Sequence, residues 1–165
     1  MKHLALLRHA KSSWDDPGQS DFERPLNKRG RHDAPEMGRR LKKHGYNFDL
    51  VLASPAQRVR ETLALLAETF PFDGQAITWV DTIYEADPDT LLQVVRECPG
   101  EAERVLMVGH NPGFTLLGNR LCGMAIDNVP TCGFLDMTLD IGAWPEASPG
   151  CARLVRFDYP KRKAD

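Results

Sequence analysis

The stretch LALLRHAKSSW, residues 4–14, decides how the chain is read. Leu4, Ala5, Leu6 and Leu7 form an unbroken apolar run, the pattern of a strand buried on both faces of a parallel sheet. Arg8 and His9 follow at once, and small and polar residues follow them. A cation and an imidazole at that boundary belong at the rim of a sheet, where strand gives way to loop. Two further apolar runs repeat the arrangement: residues 49–53 end at Ser54-Pro55, and residues 104–108 end at Gly109-His110. With residues 2–7 as the first strand, these make three strong strands, and a weaker one is expected at 76–80.

Between the strands the apolar period changes. Ala34, Met37 and Leu41 recur at helical spacing, as do Val59, Leu63 and Leu66, and Leu91, Val94, Val95 and Cys98. Alternating strands and helices imply an α/β three-layer sandwich, with a mostly parallel central sheet and helices on both faces. Residues 131–139 and 151–158 read as strands with no helix between them, so one antiparallel edge is expected. Ser54 offers a helix N-cap, with Pro55 at the first helical position and Gln57 completing a capping box. Asp87-Pro88 and Asn111-Pro112 repeat the cap-plus-proline pattern. The first helix has two possible starts. Asn27 would place Pro35 inside the helix, where it removes a hydrogen bond; Asp33 would form a second capping box with Glu36. A kink or break is expected there.

The chain has 165 residues, enough for one domain, 1–165, with a substantial core and neither repeat nor linker. A formal net charge of −2 argues against a general nucleic-acid binder. The N-terminal apolar run stops at Arg8, too soon for a secretory signal, and no run is long enough for a membrane span. Lys161-Arg162-Lys163 reads as a solvated tail. The four cysteines form no C-x-x-C pair, which suggests neither a zinc site nor a redox motif, and a reduced, cytoplasmic chain is expected.

In a parallel sheet the three strong strands end on one edge, and the helices that follow point their N-termini at it. Ligands of open α/β sheets bind outside these carboxyl ends, and helix N-termini suit an anion. Arg8, His9, Arg58 and His110 would converge there. Two guanidiniums and two imidazoles make a pocket for a phosphoryl group, because guanidinium forks match phosphate oxygens at two points. His3, His32 and His44 lie on a strand start and a helical segment and read as structural.

Arg8-His9-Ala10 resembles the R-H-G/A signature of the histidine phosphatase superfamily, the phosphoglycerate-mutase-like fold. SPAQRVRET (54–62) resembles its S-P-x-x-R-x-x-x-T segment, which supplies a second arginine, here Arg58. Val108-Gly109-His110 resembles the segment supplying its second histidine. The order and separation of the blocks match over most of the chain. The small size and the stretch RPLNKRG (24–30) resemble the compact SixA-like phosphohistidine phosphatases.

The resemblance implies that His9 is the nucleophile. That works if the imidazole is neutral, which nearby arginines favour, and if a backbone carbonyl holds the proton on its other nitrogen. Arg8, Arg58 and His110 would neutralise the phosphoryl oxygens, so neither a metal nor a cofactor is required. Glu85 is the candidate acid for the leaving group, though it could equally be a solvent-facing residue before the Asp87 cap. Asp15 or Asp16 could serve instead. Arg24 could fold back as a further phosphate contact, and Trp14 could flank the entrance or anchor its loop. The expected partner is a protein carrying phosphohistidine. The alternatives are a small phosphate ester, for which an acid becomes decisive, and a phosphate- or phosphoprotein-binding module without turnover.

Overall fold

The computed structural model describes residues 1–73 and 76–163. Six strands, β1 (Lys2–Arg8), β2 (Leu50–Ala53), β3 (Ile77–Trp79), β4 (Arg104–Gly109), β5 (Phe134–Leu139) and β6 (Ala152–Asp158), form one sheet in the order β3-β2-β4-β1-β5-β6. The β3-β2, β2-β4 and β4-β1 pairings are parallel, whereas β5 runs against both β1 and β6. The sheet is therefore mostly parallel with an antiparallel side, as expected. The helices are α1 (Lys28–Lys43), α2 (Gln57–Thr69), α3 (Pro88–Arg96) and α4 (Gly113–Cys122).

Period-two alternation sends successive side chains of β1 to opposite faces. Ala5 and Leu7 join Val51, Ala53, Leu106 and Val108 under α1 and α2, which contribute Met37, Leu41, Val59, Leu63 and Leu66. Leu4 and Leu6 join Val105, Met107, Leu135 and Met137 under α3 and α4, which contribute Leu91, Val95, Phe114 and Leu117. Both faces are thus sealed, and the middle strands read as unbroken apolar runs.

The helix starts corrected two expectations. α1 is continuous from Lys28 through Pro35, and its N-cap is Asn27, whose side chain accepts from the Gly30 N–H at 2.9 Å. Asp33 does not restart the helix; its carboxylate is held by Arg29 at 3.2 Å. The hydrogen bond lost at Pro35 is offset by packing against α2. Gly38 lies so close to that helix that an added Cβ would stand 2.1 Å from Thr69 Oγ1, and the Thr69 hydroxyl donates to the Pro35 carbonyl at 2.7 Å. Ser54 does not cap α2 either: the helix begins at Gln57 after Ala56, with no side-chain cap. Asp87 caps α3 as expected, accepting from the Thr90 N–H at 2.8 Å with Pro88 in the first turn.

Candidate active site at the strand ends

The carboxyl ends of β1, β2 and β4 open into a cavity of about 680 Å³ whose walls include Arg8, His9, Arg24, Arg58, Glu85 and His110. All six candidate residues therefore share one site. Asp15 and Asp16 do not line it, which corrects their candidacy. Asp16 accepts from the Gly18 N–H at 2.9 Å, so it shapes a turn.

His9 is fixed from several sides. Its backbone N–H donates to Gly109 of β4 at 3.0 Å, and its carbonyl accepts from Cys132 at 2.9 Å. Ring atom Nδ1 lies 2.7 Å from the Ala10 carbonyl, so Nδ1 carries the proton and Nε2 keeps its lone pair. Burial, with His110, Arg58 and Arg8 adding to it against the pull of the Ala10 carbonyl, lowers the His9 pKa to about 3. The imidazole is neutral at physiological pH.

Arg58 and His9 are joined through Thr62. The Thr62 hydroxyl accepts from the Ala10 N–H at 3.0 Å and donates to the Arg58 carbonyl at 2.7 Å. One buried side chain thereby ties the loop after β1 to the first turns of α2. Arg8 is steadied by the Val129 carbonyl, which accepts from its Nη1 at 3.0 Å.

His110 stands 5.3 Å from His9 between ring centroids, tilted by 55°. Its Nε2 lies 2.8 Å from Ser54 Oγ, and Ser54 is fully buried. Burial first, and Arg58 second, lower the His110 pKa to about 3, so this ring is neutral as well. Three buried nitrogens of the site, Arg8 Nε, Arg58 Nε and His110 Nδ1, have no hydrogen-bond partner among the described residues. Such groups cost free energy unless something accepts from them, and an oxyanion in the cavity is the group that would.

Asp21, at the start of a short 3-10 turn (Asp21–Glu23), carries a role the sequence did not announce. Arg58 donates to its carbonyl at 2.7 Å and to its carboxylate at 3.1 Å. The same carboxylate takes Arg24 Nε at 3.1 Å and the Tyr84 hydroxyl at 2.5 Å. Its desolvation is outweighed by Tyr84, Arg58 and Arg24, which hold its pKa down at about 2. Arg24 is itself buried; it reaches Ser12 Oγ at 2.7 Å and lies 3.5 Å from the centroid of the exposed Trp14 ring. Trp14 thus both lines the cavity and packs on its own loop. Glu85 is exposed at the mouth with a positive φ of 53°. The arrangement can bind an oxyanion and present a neutral imidazole to it. Among the described residues, no group of three or more His, Cys, Asp or Glu side chains could hold a metal ion.

The sheet, with its reversed strand and helices on both faces, is the α/β fold of SixA and phosphoglycerate mutase. The chain belongs to the histidine phosphatase superfamily: the description of branch 1 of that family matches residues 4–87. It is 31% identical over 165 residues to Rv1276c, an uncharacterized protein of Mycobacterium tuberculosis, covering 94% of this chain and all of that one. A structure from Agrobacterium tumefaciens, assigned as a phosphohistidine phosphatase SixA, superposes with a TM-score of 0.82 at 29% identity, over 96% of this chain and 98% of that one. A second chain so assigned, from Nakamurella multipartitia, gives 0.80 at 26% identity, over 97% and 96%. The chain is accordingly a phosphatase of the histidine phosphatase type.

Proposed function

We propose that the protein removes phosphoryl groups through a phosphohistidine formed on His9, and that its substrate is phosphohistidine in a partner protein. The observation that carries this is the polarity of His9: Nδ1 is committed to the Ala10 carbonyl, and Nε2 is left for a cavity walled by donors without acceptors. His9 Nε2 attacks phosphorus in line. The phosphorus–nitrogen bond to the substrate imidazole breaks, and that imidazole leaves with the bonding electron pair and takes a proton. Water then attacks the phosphoryl group on His9, releasing inorganic phosphate and restoring the neutral ring. Arg8, Arg58 and His110 meet the equatorial oxygens as charge redistributes. His110 serves best as an Nδ1–H donor, which requires Ser54 to donate its hydroxyl proton to Nε2.

The likeness to chains assigned as SixA supports the phosphohistidine reading. So does the exposed position of Glu85: a phosphoramidate leaves more readily than an alkoxide and has less need of a buried acid. The reading predicts an acid-labile label on His9 after incubation with labelled phosphoramidate. Label elsewhere, or full activity in His9→Ala, would refute it. A small phosphate ester remains the second reading, favoured by the presence of Glu85 on the cavity wall. Comparing turnover of a phosphoramidate with that of an alkyl phosphate separates the two.

A further inference from the structure

Beside the phosphoryl cavity lies a second cleft of about 440 Å³, and Lys11 and Thr131 line both. Its other walls include Arg29, Asp33, Tyr159 and Lys161. Asp33 is ion-paired with Arg29 at 3.2 Å, so its carboxylate is not a free negative charge. Lys11 and Lys161 are exposed and have no carboxylate partner among the described residues. The cleft is therefore a concentration of unneutralised cations on a chain that is acidic overall.

The far wall is built rather than incidental. Arg40, itself buried, donates to the Tyr159 carbonyl at 2.8 Å and to the Pro160 carbonyl at 2.9 Å, and to Asp158 at 2.8 Å. Those bonds hold the segment carrying Lys161 against α1. Across the phosphoryl cavity the lip has the opposite sign, with Glu85 and Asp87 both exposed. A polypeptide laid across the mouth would meet a basic groove on one side and acidic side chains on the other.

We infer that this cleft receives an acidic stretch of the phosphorylated protein, with carboxylates flanking the phosphorylated residue pairing with Lys11 and Lys161. The inference rests on the proposed protein substrate and names the sequence character that substrate should have. A small phosphate ester seated on His9 has no need of the second cleft, whereas a polypeptide carrying phosphohistidine would occupy both. Complementary charge of this kind steers encounter and fixes register more than it adds affinity.

The test uses a phosphohistidine peptide with Asp/Glu flanks, the same peptide with Asn/Gln flanks, and free phosphoramidate. The variants are Lys161→Glu, which reverses a free cation, and Arg29→Gln, which frees the Asp33 carboxylate in the cleft, singly and together; Lys11 is left intact because it also lines the phosphoryl cavity. The wild type should favour the acidic peptide by about five- to tenfold in kcat/KM at low ionic strength, with the advantage shrinking as salt is added. The double variant should lose that advantage through KM while turning over phosphoramidate at the wild-type rate. Equal kcat/KM for the two peptides, or an advantage that survives in the double variant, would overturn the inference. Anisotropy of the unphosphorylated acidic peptide reads the cleft without catalysis. Weaker binding to the double variant supports the subsite even where phosphoramidate hydrolysis fails and takes the phosphatase mechanism with it; unchanged binding overturns it.

Discussion

Ser54→Ala isolates the contribution of one hydroxyl to the ring opposite the nucleophile. Ser54 Oγ lies 2.8 Å from His110 Nε2 and accepts from the Ala56 N–H at 3.3 Å, in a position with no solvent access. The truncation removes the hydrogen-bond partner that Nε2 has among the described residues without touching the cavity wall, because Ser54 does not line it. A buried polar group stripped of its partner costs about 1–3 kcal/mol. Without the serine nothing fixes the tautomer: a proton moved from Nδ1 to Nε2 finds no acceptor there, and the ring then presents a lone pair to the phosphoryl oxygen. Either way the loss falls on the charge-rich transition state. With about 1.4 kcal/mol per decade of rate, kcat on phosphoramidate should fall about ten- to a hundredfold. KM should change less, and Ser54→Thr, which keeps the hydroxyl, should recover most of the rate. Nitrogen NMR of His110 supplies the independent readout: Nδ1 protonated in the wild type, a mixed or reversed population in Ser54→Ala. A wild-type ring already protonated on Nε2, together with unchanged kcat in the variant, would refute the reasoning.

Three other outcomes are expected. Arg58→Ala should reduce kcat/KM on phosphoramidate by about 10²–10³, whereas Glu85→Ala should change it by less than about threefold; the reverse ranking in a kinetic comparison would make Glu85 the essential group. Stability should fall as pH drops from 6.5 towards 3. His9 and His110 stay neutral in the fold, with pKa values near 3, while the unfolded chain protonates near 6.5, so their stabilising share is complete above 6.5 and is lost below it. At pH 5 each ring should cost about 2 kcal/mol, measurable by denaturant titration, and replacing either ring by Gln should flatten the profile. Inorganic phosphate at a hundred times its Kd should stabilise the protein by about 2.7 kcal/mol, raising Tm by roughly 5–10 °C in a thermal scan. Arg8→Ala, which removes one of the unpartnered donors, should blunt that rise.

What could be read in the sequence was whatever depends on local pattern. The apolar runs of β1, β2 and β4 reveal their burial because both faces are covered, and their shared carboxyl edge brings Arg8, His9, Arg58 and His110 together by topology alone. The proton-holding carbonyl for His9 was foreseeable in kind, and Ala10 supplies it. Asp21 was not foreseeable: it lies in an irregular segment, and its importance comes from meeting Arg58 and Tyr84, both remote along the chain. Ser54 misled because serine before proline is a good cap signal. Its hydroxyl faces a histidine brought in by β4, and a tertiary partner outweighed the local one. Pro35 misled in the same way, since burial of α1 against α2 outweighed one missing hydrogen bond.

The Thr62 hydroxyl couples nucleophile and clamp more tightly than their separation in sequence suggests. Because it bonds at once to the strand-end loop and to the helix carrying Arg58, the two cannot drift apart without leaving a buried donor and a buried acceptor stranded. The backbone just after His9 and the backbone of the first turns of α2 are therefore held in one register. The guanidinium end of Arg58 is placed instead by the surface strap, through the carbonyl and carboxylate of Asp21, so substitutions in that strap should disturb the clamp and the chemical step together.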